Sequence, residues 1–137
     1  MIVVDSSALI AILQREPDAD EFLRVVAGAA ECLLSSVSLL ETSMVLAGRT
    51  GTQRSWDGLD ALLSRADIQV VPQDAGLAEV ARTAFLQFGK GRHPAALNLG
   101  DCASYALAKA RNLPLLFKGD DFSKTDLDAA GSAFVRL

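Results

Sequence analysis

The sequence predicts a single α/β domain: a parallel sheet of about five short strands flanked by helices on both faces. Three observations predict it. Short continuous apolar runs, ended by serine, proline or acid, recur along the chain; segments with helical apolar spacing separate them; and 137 residues, half of them apolar, are enough for one core. No proline-rich, serine-rich or repeated segment marks a boundary, so residues 1–137 read as one unit.

Ile2 to Val4 is suited to a buried strand, and Asp5, Ser6 and Ser7 end it and cap the next helix. That helix is expected from about Ser7 to Gln14, and a second from Pro17 and Asp18, turning Phe22, Val25 and Val26 inward. Cys32 to Leu34 is the second strand. Ser35 and Ser36 break it, and apolar residues at 37, 40, 44 and 47 predict a helix from Val37 to about Ala47. Another helix is expected over about Ser55 to Ala66, and Ile68 to Val71, closed by Pro72, is the third strand. Then come a long helix over Gln73 to Phe88, a loop over Gly89 to Leu97, a helix over Leu99 to Arg111, a fourth strand at Leu115 to Phe117 and a weak last strand at Ala133 to Val135.

Strands alternating with helices imply right-handed crossovers and a ligand site outside the carboxyl ends of the strands. That edge is where the acids collect. Asp5 ends the first strand. Glu41 lies in the second turn of the helix that leaves the second strand, within a stripe formed by residues 37, 40, 41, 44 and 45 that is expected to face inward; a buried unpaired carboxylate there needs a partner or a metal. The short link Asn112 to Pro114 turns the helix before the fourth strand antiparallel to it, which returns Asp101 to the same edge. The loop before that helix has nine residues and can extend ~30 Å, enough to climb the domain. Asp120 and Asp121 come directly after the fourth strand.

Each acid also has a plain structural reading. Asp5 is suited to cap the first helix, Asp101 to complete a capping box with Asn98, and Asp120 or Asp121 to cap a turn before Phe122. Independent caps have no reason to meet at one edge, however, and Glu41 is not a cap at all. Carboxylates without a His or Cys set are hard oxygen donors that select Mg²⁺, or Mn²⁺, over Zn²⁺. Such an ion activates water and offsets charge on a phosphodiester, and it reconciles a net charge of −4 with a phosphate substrate. Lys90 and Arg92, in the loop leading to Asp101, are placed to meet phosphates; His93 beside them reads as a surface histidine.

These residues carry a resemblance. Met1 to Ala8 (MIVVDSSA), Ser38 to Glu41 (SLLE), Asn98 to Ala108 (NLGDCASYALA) and Leu115 to Asp126 (LLFKGDDFSKTD), in this order and at these spacings, resemble the PIN-domain ribonucleases and, within them, the VapC toxins of bacterial toxin–antitoxin pairs. The resemblance spans nearly the whole chain. It implies that Asp5 and Asp101 are the main metal ligands, that Glu41 is a third acid, and that Ser7 is a small polar residue supporting the site. It leaves the fourth acid open between Asp120 and Asp121, with Asp126 nearby; the place of Asp121 before Phe122 favours it. It also implies an RNA substrate, a homodimer and a cognate VapB-type antitoxin that blocks the site.

Rival readings fit less well. A haloacid-dehalogenase-like phosphatase needs a second aspartate where Ser7 stands, and no GxxxxGK[ST] loop occurs. A receiver-like acidic-pocket binding domain finds a mimic of its lysine in Lys118, yet its third strand ends in Pro72 rather than an aspartate. Cys32 and Cys102 lack CxxC spacing and read as buried reduced thiols. With no apolar run near 18 residues and no basic leader before the first strand, the sequence predicts a cytoplasmic protein.

Overall fold

A computed structural model of the chain describes residues 1–51 and 53–131. Strand β1 (Ile2–Val4) passes through Asp5 into α1 (Ser6–Leu13), and α2 (Ala19–Gly28) leads to β2 (Cys32–Ser35). Helix α3 (Ser36–Thr50) starts at the very end of β2. A 3-10 turn (Gln53–Trp56) and α4 (Asp57–Arg65) precede β3 (Ile68–Val71); after it come α5 (Ala75–Phe88), α6 (Leu99–Arg111), β4 (Leu115–Leu116) and a 3-10 turn (Phe122–Lys124). The single helix expected over 55–66 is thus divided, and the Trp56 indole N–H, which donates to the Ser43 carbonyl at 2.8 Å, holds the division against α3.

The described strands form one parallel sheet in the order β3-β2-β1-β4. Four strands stand where about five were expected; Ala133 to Val135 lies outside the described residues. The register pairs Val3 with both Leu33 and Leu115, and Val4 with Leu116. Alternation along each strand then divides the core. Ile2, Val4, Cys32, Leu34 and Leu116 meet Leu9, Phe22, Val26 and Leu59 on the face covered by α1, α2 and α4. Val3, Leu33 and Leu115 meet Phe88, Leu97, Cys102, Tyr105 and Leu107 on the face covered by α5 and α6. Both cysteines are buried and free, and burial raises both thiols above their ordinary range, which keeps them unreactive.

The sheet edges differ. Beyond β4, the Leu115 N–H donates to the Asp128 carbonyl and the Ala130 N–H donates to the Leu115 carbonyl, both at 2.9 Å, so the chain after β4 covers that edge. At the other edge, Gln69 and Val70 of β3 are exposed. No helix among the described residues is long and apolar enough to cross a membrane.

Residues 89–97 correct an expectation. Rather than extending up the domain, this loop closes on itself: Gly89 and Leu97 form a parallel bridge, the Lys90 N–H donates to the Leu97 carbonyl at 2.9 Å, and the Leu97 N–H donates to the Phe88 carbonyl at 3.0 Å. Helix α6 therefore starts beside the end of α5. His93 belongs to this closure, with Nδ1 accepting from the Ala95 N–H at 3.0 Å and the ring edge-on to Phe88. Arg92 lies over the Phe85 ring.

Gly89 makes the closure possible through space rather than dihedral freedom, since a side chain there collides with the Phe85 backbone carbonyl that caps α5. Gly89→Ala is expected to cost about 1–3 kcal/mol, because backbone cannot step aside as a side chain can. Thermal melting measures it; an unchanged midpoint means that the loop yields freely.

Candidate active site

Asp5 is carried to the carboxyl edge by β1 and is the N-cap of α1. Its backbone N–H donates to the Leu116 carbonyl at 2.9 Å, which fixes it between β1 and β4. The side chain is only 2% exposed. Its Oδ2 accepts from the Ser7 N–H at 3.0 Å and the Ser7 hydroxyl at 2.6 Å, and its Oδ1 accepts from the Ser104 hydroxyl at 2.6 Å. Ser7 Oγ also accepts from the Lys118 N–H at 2.9 Å, which ties the chain after β4 to the end of β1. The cap and the site residue are therefore one group rather than alternatives.

Glu41 sits on α3, half-buried, with Oε1 accepting from the Ser6 hydroxyl at 2.8 Å. Its carboxyl lies against the first turn of α6, where a Cβ on Gly100 would stand 2.8 Å from Glu41 Cδ. Glycine at 100 thus makes room for the acid. The stripe around Glu41 does not face the core as expected. Leu40 is 61% and Met44 65% exposed, while Ser38 and Thr42 form the fully buried side of α3, aided by Leu39 and Leu46. The reason is close packing: small hydroxyls let α3 approach α6, where Ser38 meets Ser104 at 3.0 Å, and they satisfy one another. The larger apolar side chains are left to line a groove of Val37, Leu40, Met44, Val45 and Leu99 that runs up to Glu41.

Asp101 completes the expected capping box: its N–H donates to Asn98 Oδ1 at 2.9 Å, and its Oδ2 accepts from the Asn98 N–H at 3.0 Å. Burial is the main cause that raises its pKa to about 6. The Asn98 N–H opposes the rise, and the charges of Asp5, Glu41 and Asp121 add to it. Four acids from distant parts of the chain therefore share one field. Asp121 belongs to it, and both Asp120 and Asp121 are exposed. Asp126 is turned elsewhere, accepting from Tyr105 and from Lys109, each at 2.7 Å.

Among the described residues no lysine or arginine pairs with Asp5, Glu41, Asp101 or Asp121. The Lys118 ammonium, the sequence's candidate for a receiver lysine, is spent on Glu16 at 2.5 Å and Asp18 at 3.2 Å. Nor do any three acid, histidine or cysteine side chains among the described residues close into a ready metal cage. Hard oxygen donors around a site lacking a protein cation suit Mg²⁺, which keeps several waters and needs only one or two carboxylates. Asp5 and Asp101 can supply these. Sequence reasoning missed Ser6, Ser38, Gly100 and Ser104. For the serines the available signal was a small hydroxyl at positions that periodicity assigns to buried helix faces.

Comparison with known proteins shows the family and the fold. The chain matches the PIN domain over residues 2–127. It is 47% identical over 126 residues to Ribonuclease VapC30 of Mycobacterium tuberculosis, covering 92% of this chain and 95% of that protein. The crystal structure of Mycobacterium tuberculosis VapC20, a Sarcin-Ricin loop cleaving toxin, is similar with a TM-score of 0.76 at 19% identity, over 96% of this chain and 99% of that one. VapBC2 from Rickettsia felis, solved bound to a DNA fragment from their promoter, gives a TM-score of 0.70 at 21% identity, over 94% and 97% of the two chains. At such identities the two structures establish a shared fold.

The raised pKa of Asp101 has a consequence for the metal-free protein. Folded, this carboxyl holds its proton up to about pH 6, against an ordinary value of 3.8. Within that window the native state binds more protons than the unfolded chain, so stability falls as pH rises. In EDTA, Asp101→Asn is expected to remove that part of the fall and to melt above the wild type at pH 7. Parallel melting profiles for the two proteins from pH 4 to pH 7 would refute the raised pKa of Asp101.

Proposed function

Because this chain belongs to the PIN-domain family and, within it, to the VapC ribonucleases, we propose that it is a Mg²⁺-dependent endoribonuclease, the toxin of a cytoplasmic toxin–antitoxin pair. The observation that supports this reading is the common field of Asp5, Glu41, Asp101 and Asp121 at the carboxyl edge of the sheet, with no protein cation to neutralise it among the described residues. Asp5 and Asp101 would hold the ion, with Mn²⁺ as a substitute of similar preference, and the chemistry it would supply when bound is activation of water and offset of charge on the phosphodiester.

The chain's own residues do the rest. Ser7 and Ser104 hold Asp5 in one orientation, and the capping box holds Asp101. Glu41 keeps one oxygen on Ser6 and leaves the other without a hydrogen-bond donor among the described residues, suited to accept a proton. Asp121, exposed at the rim, adds negative charge that draws the cation in. Lys90 and Arg92 remain candidates for phosphate contacts, with Arg92 seated on Phe85. A receiver-like binding domain without nuclease activity is disfavoured because Lys118 is held by Glu16 and Asp18.

The same reading extends to the partners. The groove of Val37, Leu40, Met44, Val45 and Leu99 ends at Glu41, a shape suited to an amphipathic antitoxin segment that brings an arginine or lysine to the acids. The chain acts as a homodimer, which its exposed Phe85 and Leu86 favour by leaving apolar surface to cover.

Purified protein incubated with cellular RNA, with and without EDTA, and sequencing of the cut ends test the activity. Asp5→Asn, Glu41→Gln and Asp101→Asn are each expected to lower cleavage at least ~100-fold with the fold intact, and Asp121→Asn to lose more than Asp120→Asn. A wild-type rate in Asp101→Asn reduces that residue to a helix cap. For control, the free protein is expected to bind the antitoxin tail more weakly as Mg²⁺ rises, because both seek the same carboxylates. Titration at several Mg²⁺ concentrations measures this, and an affinity independent of Mg²⁺ would mean that the tail acts on the groove alone.

A further inference from the structure

We infer that Ser104, backed by Ser38, is a positioning residue that fixes the rotation of the Asp5 carboxylate that a cation would meet. The inference rests on the reading of Asp5 as a metal ligand. An ionised carboxylate only accepts hydrogen bonds, so the contact of 2.6 Å between Ser104 Oγ and Asp5 Oδ1 commits the Ser104 hydrogen to Asp5. The Ser104 oxygen then accepts from the Ser38 hydroxyl, 3.0 Å away. Both serines are fully buried, and their aligned hydroxyls reinforce each other's polarity toward the carboxylate.

The two oxygens of Asp5 are unevenly satisfied. Oδ2 accepts from both the N–H and the hydroxyl of Ser7, which fills its two lone pairs, while Oδ1 accepts only from Ser104 and keeps one lone pair. Ser7 therefore leaves Oδ1 as the oxygen with a lone pair to spare, and Ser104, bonded to that oxygen, stops the carboxylate from rotating. Its position in the fold strengthens this role. Ser104 is one helical turn past Asp101 on α6, and Ser38 is one turn before Glu41 on α3, so the relay ties the two helices that carry the other acids to the end of β1. Two serines packed merely to satisfy each other would not commit a hydrogen to a carboxylate 99 residues away.

Calorimetric titration of the full chain with Mg²⁺, alongside thermal melting in EDTA, tests the inference on wild type and on Ser104→Ala, Ser104→Thr, Ser38→Ala and Asp5→Asn. Ser104→Ala is expected to weaken Mg²⁺ binding about 10- to 100-fold, the usual consequence of removing a group that orients a metal ligand, and to lower metal-free melting while leaving a cooperative transition, because Asp5 Oδ1 loses its donor. Ser104→Thr, which keeps the hydroxyl, is expected to restore binding, and Ser38→Ala to give a smaller loss. Wild-type affinity in Ser104→Ala, with Asp5→Asn impaired, overturns the role of Ser104 and leaves the metal site standing. Equal loss in the alanine and threonine variants, with the threonine variant melting as the wild type does, also overturns it, since the hydroxyl is then not what matters. A wild type that binds no Mg²⁺ overturns the metal reading and this inference together.

Discussion

Burying the Asp5 carboxylate almost wholly out of water is the constraint around which the carboxyl edge is built. A carboxylate so buried is costly unless its oxygens are satisfied. Here three donors from two serines do so, and the positive end of α1, which Asp5 itself caps, adds a favourable field. Satisfying Asp5 in turn constrains its neighbours. Ser7 must also receive the Lys118 N–H, which draws in the segment bearing Asp121, and Ser104 must lie at the inner face of α6, which sets where Asp101 falls. The arrangement relieves desolvation without supplying a cation among the described residues, so the negative field persists and adds to the burial that raises the pKa of Asp101.

Short connections make this placement accurate. Asp5 is the single residue between β1 and α1, and α3 begins directly after β2, so each acid is set by a strand end rather than by a long loop. The strands themselves are short, but Val3, Val4 and Leu34 are completely buried between two helical layers, which makes their ends rigid. Asp101 takes its place by other means. Its capping box starts α6, and the closed loop of residues 89–97 anchors that start to the end of α5.

The same close packing that serves the acids leaves an apolar surface beside them. Helix α3 turns Ser38 and Thr42 toward the body of the protein because larger residues would push it from α6 and break the contact with Ser104. Leu40 and Met44 consequently point outward, and with Leu99, 79% exposed, they line a groove that meets the carboxylates at Glu41. An acidic pocket at the end of an apolar groove suits a partner that joins a greasy segment to one cation. Gly100 completes the junction, since only the lack of a side chain there lets Glu41 lie against α6.

Local patterns in the chain were sufficient for the strand and helix order, the parallel sheet and the candidate acids, because apolar period, caps and strand-ending polar residues are properties of neighbours in sequence. Asp5 at the end of MIVV and the box from Asn98 to Asp101 were legible for that reason. Tertiary structure alone decided three matters. The outward face of α3 was not legible, since a stripe of Val37, Leu40 and Met44 has the same period whether a core or solvent meets it, and the close approach of α6 made the choice. The closure of residues 89–97 depended on contacts across the loop that no local signal encodes. Last, the bond from Ser104 to Asp5 joins residues 99 positions apart, and a hydroxyl in a buried helix turn becomes a clamp only when folding brings a carboxylate to it.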